Sequence, residues 1–506
     1  MPEPAPVETE LKFLLGSTPP PSTAEHAAPR AKEEVRTLYS TYFDTPRWRL
    51  RQGGLALRVR DDGQGLVQTL KQSGGPGAIA RGEWEQALPS LGLDLRALAA
   101  TPAAKVLDGE AEDLEPVFRT TVERRRRLCR EGSSLIEVAV DVGEIVAGDR
   151  REPIREMELE LKHGEPDALF QLAQKLADGA DLRLSFESKS ERGYRLADGA
   201  MLEPRRAPGV ALHPAMTAGQ AFQALARGCL AQASANCEIL REQPRLEALH
   251  QLRVAMRRLR ALMKACEPML GQGEGLLVEA ELKWLAGELD AARDLDVFIA
   301  TSFRPAVEAL AEQEFAALGE QLLKAQTSAY AKAQGAVRSP RCAALWLKAA
   351  SWIEAGAWTR AEDLPTVHGR DQPAAAFAKG ALDHLRKVVR KRGKRFGGLD
   401  AKGRHKLRIR TKRMRYMAEL FAPLFEDAKG VRPFVKRLKD VQTTLGELND
   451  VAVARSRIPD VGKLKSGTVG FAAGRVVGWR ERDERKTLAA AGEMIQAFCE
   501  AEPFWR

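Results

Sequence analysis

Residues 1–202 and 217–506 follow two different hydrophobic periods, and this change most strongly limits the folds open to the chain. The first region alternates apolar and polar residues, which is typical of half-buried β-strands, in runs such as VETELKFLL, LALRVR, LVQTLK, SLIEVAVDV and MELELK. The second region is rich in Ala, Leu and Arg at helical spacing. We therefore expect an α+β protein of two domains, with one helix in the first region near 167–178 and a Pro- and Gly-containing linker at 203–216.

Composition excludes several classes of protein. With 506 residues, 44% of them hydrophobic and 29% charged, the chain is long enough for more than one core and is not wholly disordered. No run of 18 apolar residues is free of charge, and the first residues carry acids where a secretory signal needs a basic head, so neither a membrane span nor export is expected. The six cysteines show no paired spacing, which favours a reducing cytoplasm over a disulfide framework or a zinc ribbon.

The net charge of +10 is distributed unevenly along the chain. Residues 1–202 hold 28 Lys and Arg against 34 Asp and Glu, a net charge of −6. Residues 379–415 hold 16 Lys and Arg against two Asp, a net charge of +14. This window exceeds the excess of the whole chain, so an anionic partner is expected there.

The helical region contains an internal repeat. The segment HQLRVAMRRLR (250–260) matches HKLRIRTKRMR (405–415) in its basic positions. Further along each copy, LAGELDAARDLDVF (285–298) resembles VQTTLGELNDVAVA (441–454). Each copy is a unit of about 85 residues, 217–300 and 373–458. The repeat predicts an all-α duplicated helical bundle.

Charged residues recur in pairs on one face of the predicted strands. Because successive strand residues point to opposite sides, Arg58 and Arg60 share a face opposite Leu57 and Val59. For a single strand this pattern indicates a sheet whose charged face lies in water. The recurrence of Arg and Glu pairs on most strands instead favours a closed barrel whose interior charges are compensated by a ligand. A polyanion with a divalent metal has the required charges, since Arg and Lys bind phosphate oxygens while carboxylates hold Mg²⁺ or Mn²⁺.

A charged motif and seven segments that follow it in order resemble the CYTH family, the triphosphate tunnel metalloenzymes. The motif is Glu8-x-Glu10-x-Lys12. The segments are TYFDTP (41–46), LALRVR (55–60), LVQTLK (66–71), RGEWE (81–85), IEVAVDVGEI (136–145), MELELK (157–162) and SKSERGY (188–194). The resemblance implies an N-terminal antiparallel eight-stranded tunnel barrel, over 1–202, that hydrolyses a triphosphate with Mg²⁺ or Mn²⁺.

The resemblance also implies roles for individual residues of the tunnel. The implied catalytic residues are Glu8, Glu10 and Lys12, and the implied metal ligands are Glu8, Glu10, Glu158 and Glu160. The implied phosphate ligands are Lys12, Arg58, Arg60, Lys71, Arg124 and Lys189. Glu83, Glu85 and Asp141 are candidate helpers, and Arg81, Arg119 and Arg126 are second-rank candidates for phosphate binding.

A basic stripe recurs in both copies of the helical repeat. Its members fall three or four residues apart on one helix face, and they carry no acid among them; a solvated face usually mixes both signs. No HExxH or similar cluster accompanies the two histidines, so a zinc site is rejected. The stripe and its repeat resemble the CHAD domain over about 217–460, which implies binding of inorganic polyphosphate. The predicted polyphosphate ligands are His250, Arg253, Arg257, Arg260, Lys264, Arg386, Arg390, His405, Arg408, Lys412 and Arg415.

The leading functional prediction is an inorganic triphosphatase that also binds polyphosphate, located in the cytoplasm or on polyphosphate granules. Thiamine triphosphatase or adenylate cyclase activity on the same fold stays open, as does a non-catalytic polyphosphate-binding protein. Nucleic acid is disfavoured as a partner, because Phe396 is the one aromatic residue in the basic window 379–415. Residues 461–506 are expected to form a helical extension, to which the sequence assigns no role.

Overall fold

The computed structural model describes residues 7–17, 19–271, 273–310, 315–425, 428–461, 467–482 and 484–506. The chain divides into two compact units. The first comprises residues 1–209, 227–239 and 338–356, and the second comprises 210–226, 240–337 and 357–506. Two helical segments from beyond the predicted linker therefore belong to the N-terminal unit.

An antiparallel barrel forms the centre of the first unit. Its strands are β1 (Val7–Leu15), β2 (Glu34–Asp44), β3 (Leu55–Asp61), β4 (Leu66–Gln72), β5 (Ala80–Leu88), β6 (Glu115–Glu131), β7 (Ser134–Ala147), β8 (Arg150–His163) and β9 (Leu182–Ser185). Eight of them pair in the order β5-β4-β3-β2-β6-β7-β8-β1, and a pairing of β1 with β5 closes the ring. The predicted closed eight-stranded antiparallel barrel is confirmed. The short β9 is an additional strand beside β1.

Strand β1 holds the barrel together because it pairs with three strands. Along one edge it pairs with β8, from Glu10 opposite Glu160 to Leu14 opposite Glu156. Along the other edge residues 7–9 pair with residues 80–82 of β5, and residues 12–15 pair with residues 182–185 of β9. The partner on this second edge thus changes between residues 9 and 12, in the middle of the Glu-x-Glu-x-Lys motif.

The outer face of β1 and β8 is apolar and covered. Leu11 and Phe13 of β1 and Met157 and Leu159 of β8 are buried on the side opposite their charged neighbours. Helix α4 (Asp167–Leu176), which lies within the predicted 167–178, packs on β6 and β8 and contributes six buried apolar residues. Covering one face leaves the charged face of these strands inside the barrel.

Helices occupy much of the remaining described chain. In the N-terminal region they are α1 (Arg49–Gln52), α2 (Leu95–Ala99), α3 (Ala103–Leu107), α4 and α5 (Lys189–Ala197). The helical region contains α6 (Ala218–Glu242), α7 (Leu246–Ala265), α8 (Glu267–Leu270), α9 (Glu274–Glu288), α10 (Asp290–Phe298), α11 (Arg304–Leu310), α12 (Phe315–Arg338), α13 (Pro340–Ala355), α14 (Leu364–Asp371), α15 (Ala374–Gly393), α16 (Ala401–Phe421), α17 (Ala428–Val461), α18 (Gly467–Glu481) and α19 (Glu484–Glu500). The predicted helical character of this region is confirmed.

The two repeat helices α7 and α16 pack against each other within the second unit. Leu252, Met256 and Leu259 form the buried apolar stripe that seats α7, as their spacing predicts. Among the described residues, no helix combines the length and the apolar character that a membrane crossing requires.

The C-terminal residues contribute to the core of the second unit. Helix α19 packs on α17 and α15, and the following Trp505 is buried and donates its indole N–H to Asp383 at 2.9 Å. The Trp505 ring also contacts Phe434 edge-on, with ring centroids 5.0 Å apart. These contacts give residues 484–506 a structural role that sequence reasoning left open.

Candidate functional site

Charged side chains meet across the inside of the barrel. Lys71 on β4 donates to Glu8 on β1 at 2.7 Å, although β5 lies between these strands. Arg124 on β6 donates to Glu158 on β8 at 2.6 Å, across β7. Side chains of strands that are two apart meet on the concave side of a closed sheet, so these residues line the interior.

Three carboxylates lie in one row across β1, β8 and β7. Glu160 is directly opposite both Glu10 and Glu137 in the two ladders. Like charges in directly opposed positions are destabilising unless a cation lies near them. Burial raises the pKa of Glu160, and the charges of Glu8 and Glu137 act in the same direction, while Lys162 opposes them. Arg81 pairs with Glu10, Lys162 with Glu160 and Arg126 with Glu137, so each carboxylate of the row contacts a cationic side chain. The row is therefore a place where positive charge is stabilised.

A second acidic group lies one step further along the same strands. Carboxylate oxygens of Asp141, Glu156 and Glu158 lie within 4.8 Å of one another. Lys189 contacts all three, at 2.7 Å from Asp141 and 2.9 Å from Glu158. Burial alone would raise the pKa of Glu158, but Lys189 and Arg124 hold that pKa well below its ordinary value. This group is thus an ion-pair network that already contains its counter-charges.

Helix α5 positions Lys189 at the barrel. Ser188 and Glu191 form a capping box that fixes the start of the helix. Tyr194, one turn later, donates to the fully buried carboxylate of Asp44 at 2.8 Å, and Asp44 also accepts the backbone N–H groups of Leu50 and Arg51. Parts of the TYFDTP and SKSERGY segments therefore act together as an anchor that fixes the position of Lys189.

Two arginines of β3, Arg58 and Arg60, lie close together in the interior. Arg60 donates from Nε to Ser40 Oγ at 3.3 Å, and it has no ion pair among the described residues. Burial lowers the pKa of Arg60 to about 10, and the charges of Arg58 and Arg124 contribute to that shift. Because a bound anion would relieve this repulsion, this part of the barrel suits phosphate.

The structure brings the predicted catalytic residues, metal ligands and first-rank phosphate ligands into the barrel interior. Glu8, Glu10, Lys71 and Glu160 lie toward the β1–β5 seam, and Lys12, Arg124, Glu158 and Lys189 lie toward α5. The predicted helpers Glu83 and Asp141 and the second-rank Arg81 and Arg126 also form contacts inside the barrel. Arg119 is exposed and lies outside it. The chemical roles of these residues stay predictions.

The helical unit carries a second cationic site, where the two basic stripes converge. Burial lowers the pKa of Arg257 on α7, and the charges of Arg253, Arg293 and Arg408 lower it further, so both repeats contribute to one positive region. The Nε of Arg257 is buried without a hydrogen-bond partner, and no ion pair of this residue occurs among the described residues. Burial and Arg293 lower the pKa of His250 to about 4.

Several residues of the stripes pair with acids or hydrogen-bond to neutral groups. Arg253 pairs with Asp290 at 2.6 Å, Arg260 with Glu279 at 3.5 Å and Arg415 with Glu419 at 2.7 Å. Lys264 pairs with Glu267, His405 lies 2.6 Å from Asn449, and Arg386 donates to the carbonyl of Ala501. The uncompensated charge therefore concentrates around Arg257, and the predicted stripe is less uniform than its sequence indicates.

Comparison with known proteins agrees with both halves of this architecture. The family model described as the CYTH domain matches residues 7–194, and the model described as the CHAD domain matches residues 224–459. The crystal structure of the CHAD domain from the plant Ricinus communis is 30% identical, with a TM-score of 0.52, and the match covers 98% of that domain and 60% of this chain. The chain is a CYTH–CHAD protein.

Curated relatives resemble this CYTH–CHAD chain to different extents. An inorganic triphosphatase of Haemophilus influenzae is 32% identical over 198 residues. That match spans 37% of this chain and about half, 54%, of the relative. An uncharacterized protein of Mycobacterium tuberculosis is 28% identical over 486 residues, which is 89% of this chain and 88% of the relative.

Sequence reasoning missed two buried residues of the CYTH domain. Glu156 is fully buried beside Lys189, and Arg192 donates to Glu156 at 3.3 Å and to Glu152 at 2.7 Å. The parity of the strand could have identified Glu156, since it has the same alternation as Glu158 and Glu160. Arg192 lies in the SKSERGY segment (188–194), so that motif could have drawn attention to it.

Proposed function

We propose that the CYTH domain hydrolyses inorganic triphosphate in a reaction that depends on Mg²⁺ or Mn²⁺. The row of Glu10, Glu160 and Glu137 carries this proposal, because it gathers three carboxylates inside a closed barrel that also holds the neighbouring cations Arg58, Arg60 and Arg124. Carboxylate oxygens suit a divalent metal, and the cations suit phosphate oxygens. The inorganic triphosphatase of Haemophilus influenzae, 32% identical over the matched residues, supports this choice of substrate.

The residues present fit a divalent cation. Glu8, Glu10 and Glu160 would hold it with Glu158, since hard cations prefer carboxylate oxygens. Asp141 and Glu156 are less suitable ligands, because both are fully buried and Lys189 contacts both of them. A bound Mg²⁺ or Mn²⁺ neutralises phosphate charge and lowers the pKa of an attacking water.

The basic residues of the barrel would bind and orient the phosphate chain. Arg58, Arg60 and Arg124 bind oxygens of the chain as charge-assisted donors, and their fixed positions restrict the chain to one register. Lys12, 3.5 Å from Glu158, donates to the oxygen that leaves. Water attacks phosphorus, the bond from phosphorus to the bridging oxygen breaks, and the products of triphosphate are orthophosphate and pyrophosphate.

Phosphate release from a panel of substrates tests this proposal. Tripolyphosphate, pyrophosphate, ATP, thiamine triphosphate and long polyphosphate are each supplied with and without Mg²⁺ or Mn²⁺. Glu10→Gln removes most turnover of tripolyphosphate, while Glu144→Gln, a matched change on β7 at a side chain that is 42% exposed, leaves it unchanged. Native turnover by Glu10→Gln would overturn the carboxylate assignment. Preferred turnover of ATP or thiamine triphosphate would support the alternative substrates.

We propose further that the CHAD domain binds inorganic polyphosphate where the two repeats converge. The support is the mutual repulsion around Arg257, which a polyanion would relieve. Binding to the full chain should weaken steeply with salt, since a bound polyanion releases counterions. The double variant Arg253→Ala/Arg408→Ala should bind more weakly than the linker control Arg205→Ala/Arg206→Ala. Equal binding of single-stranded DNA of matched charge would reduce this site to a diffuse basic surface.

A further inference from the structure

A small cavity interrupts the seam where the barrel closes. Strand β5 leaves β1 after residue 9, and β9 begins to pair at residue 12. The space between them is a cavity of about 40 Å³ that Glu10, Lys12, Ile79, Arg81 and Ser185 line. This volume is sufficient for a water molecule or a small ion.

Arg81 lies at this cavity and contacts both carboxylates of the motif. It is directly opposite Glu8 in the β1–β5 ladder, and its Nε donates to Glu8 Oε2 at 2.9 Å. Its Nη2 forms an ion pair with Glu10. One guanidinium thus bridges the two side chains that the proposed function assigns to the divalent metal.

The bridge is strong by electrostatic criteria. Both carboxylates are nearly buried, with 9% of each side chain exposed, so their attraction to Arg81 is weakly screened. Lys71 also donates to Glu8 Oε2, at 2.7 Å, so two cationic side chains contact this carboxylate. Lys71, Arg81 and a divalent cation cannot all contact the same carboxylate oxygens of Glu8 and Glu10. A divalent cation that binds these oxygens must therefore displace the guanidinium of Arg81 or share the oxygens with it.

We propose that Arg81 is an internal competitor of the divalent cation, which sets the metal affinity of Glu8 and Glu10. When the cation binds, the guanidinium is released from these carboxylates and becomes available to a phosphate oxygen of the substrate. Cation binding and triphosphate binding are thereby coupled through one side chain. The inference rests on the proposed function, since it takes Glu8 and Glu10 as metal ligands.

Titration calorimetry with Mn²⁺ and no substrate tests the competition in the full chain. Arg81→Gln removes the charge and should bind Mn²⁺ about tenfold or more tightly, on the scale of one charge-assisted hydrogen bond of about 1.5–3 kcal/mol. Arg81→Lys keeps the positive charge but cannot bridge Glu8 and Glu10 as a guanidinium does. Its affinity for Mn²⁺ should lie between those of the native protein and Arg81→Gln. Arg119→Gln, a change on the outside of the same barrel, should bind as the native protein does.

Thermal unfolding gives a second readout. Arg81→Gln should unfold at a lower temperature than the native protein without Mn²⁺, and saturating Mn²⁺ should stabilise it by a larger shift. Unchanged or weaker Mn²⁺ affinity in a folded Arg81→Gln variant would overturn the competition. The Mn²⁺ affinity of Glu10→Gln is measured in the same experiment. If it equals that of the native protein, the assignment of metal ligands in the proposed function is wrong, which is a different outcome from failure of the competition.

Discussion

Arg124 donates two hydrogen bonds to the two carboxylate oxygens of Asp141, at 2.7 Å from Nε and 2.6 Å from Nη2. Both side chains are on adjacent strands, directly opposite in the β6–β7 ladder, and Asp141 is fully buried. Lys189 adds a third charge at 2.7 Å from Asp141. This carboxylate therefore holds two of the predicted phosphate ligands in fixed positions before any substrate is present.

Replacement of this carboxylate should cost stability that a polyanion restores. Asp141→Asn leaves Arg124 and Lys189 with less compensating charge in a buried place, and we expect a loss of about 3–5 kcal/mol in the free energy of unfolding. Tripolyphosphate should stabilise the variant more than the native protein, because it supplies the missing negative charge. Denaturant unfolding with and without tripolyphosphate measures both effects. If tripolyphosphate stabilises the native protein and Asp141→Asn equally, it does not bind beside Arg124 and Lys189.

The stability of the CYTH domain should depend on Glu8 at acid pH. Because the pKa of Glu8 is about 2 in the folded protein and its ordinary value is 4.5, the unfolded chain binds more protons between these values. The contribution of Glu8 is thus fully present above pH 4.5 and is lost as pH falls toward 2. The difference in unfolding free energy between native protein and Glu8→Gln should shrink over this range in urea titrations. A difference that is independent of pH would contradict the lowered pKa.

Arg257 should be a residue where binding and stability are opposed. Arg257→Met keeps the length of the side chain but removes a buried charge that is repelled by its neighbours, so we expect the free energy of unfolding to rise by about 1 kcal/mol. The same change should weaken polyphosphate binding about tenfold, on the scale of one charge-assisted contact. Paired unfolding and binding titrations test the trade-off. If Arg257→Met is less stable than the native protein, or binds polyphosphate with native affinity, the charge of Arg257 is already compensated in the native protein.

Polyphosphate binding should also take up a proton at His250. Burial and Arg293 lower the pKa of His250 to about 4, and a nearby polyanion would raise that pKa toward its ordinary value of 6.5. Since the bound state then holds more protons than the free state, affinity should increase as pH falls from 7 to 5. Titrations at the two pH values compare the native chain with His250→Gln. If the affinity of the native chain and that of His250→Gln depend on pH in the same way, His250 is not the group that takes up the proton.

The ladder of β1 and β8 follows from local sequence, whereas the closing seam does not. Alternation alone places Glu8 and Glu10 on one face of a strand, and Glu158 and Glu160 on another, because side chains in a strand have a period of two. The pairing that sets Glu8 opposite Arg81 joins residues about 70 positions apart. Local sequence preferences do not encode a pairing between residues so far apart. For this reason the sequence alone indicates Arg81 only as a second-rank candidate for phosphate binding.

The basic stripes of the CHAD domain show the same limit. Helical spacing correctly places Leu252, Met256 and Leu259 in the core, since packing of one helix face depends on local periodicity. The acids that compensate Arg253 and Arg260 come from a different helix pair, at Asp290 and Glu279. Charge compensation of this kind depends on tertiary neighbours, and the stripe therefore looked more uniform in sequence than it is in the fold.

The triple pairing of β1 also determines when the site comes into existence during synthesis. This strand leaves the ribosome before its partners, which follow about 70, 150 and 170 residues later. Such distant contacts form late, because loop closure must precede them. Glu10 therefore meets Glu160 only after β8 has emerged, so the row of Glu10, Glu160 and Glu137 cannot form in a nascent chain before residue 160 has been made.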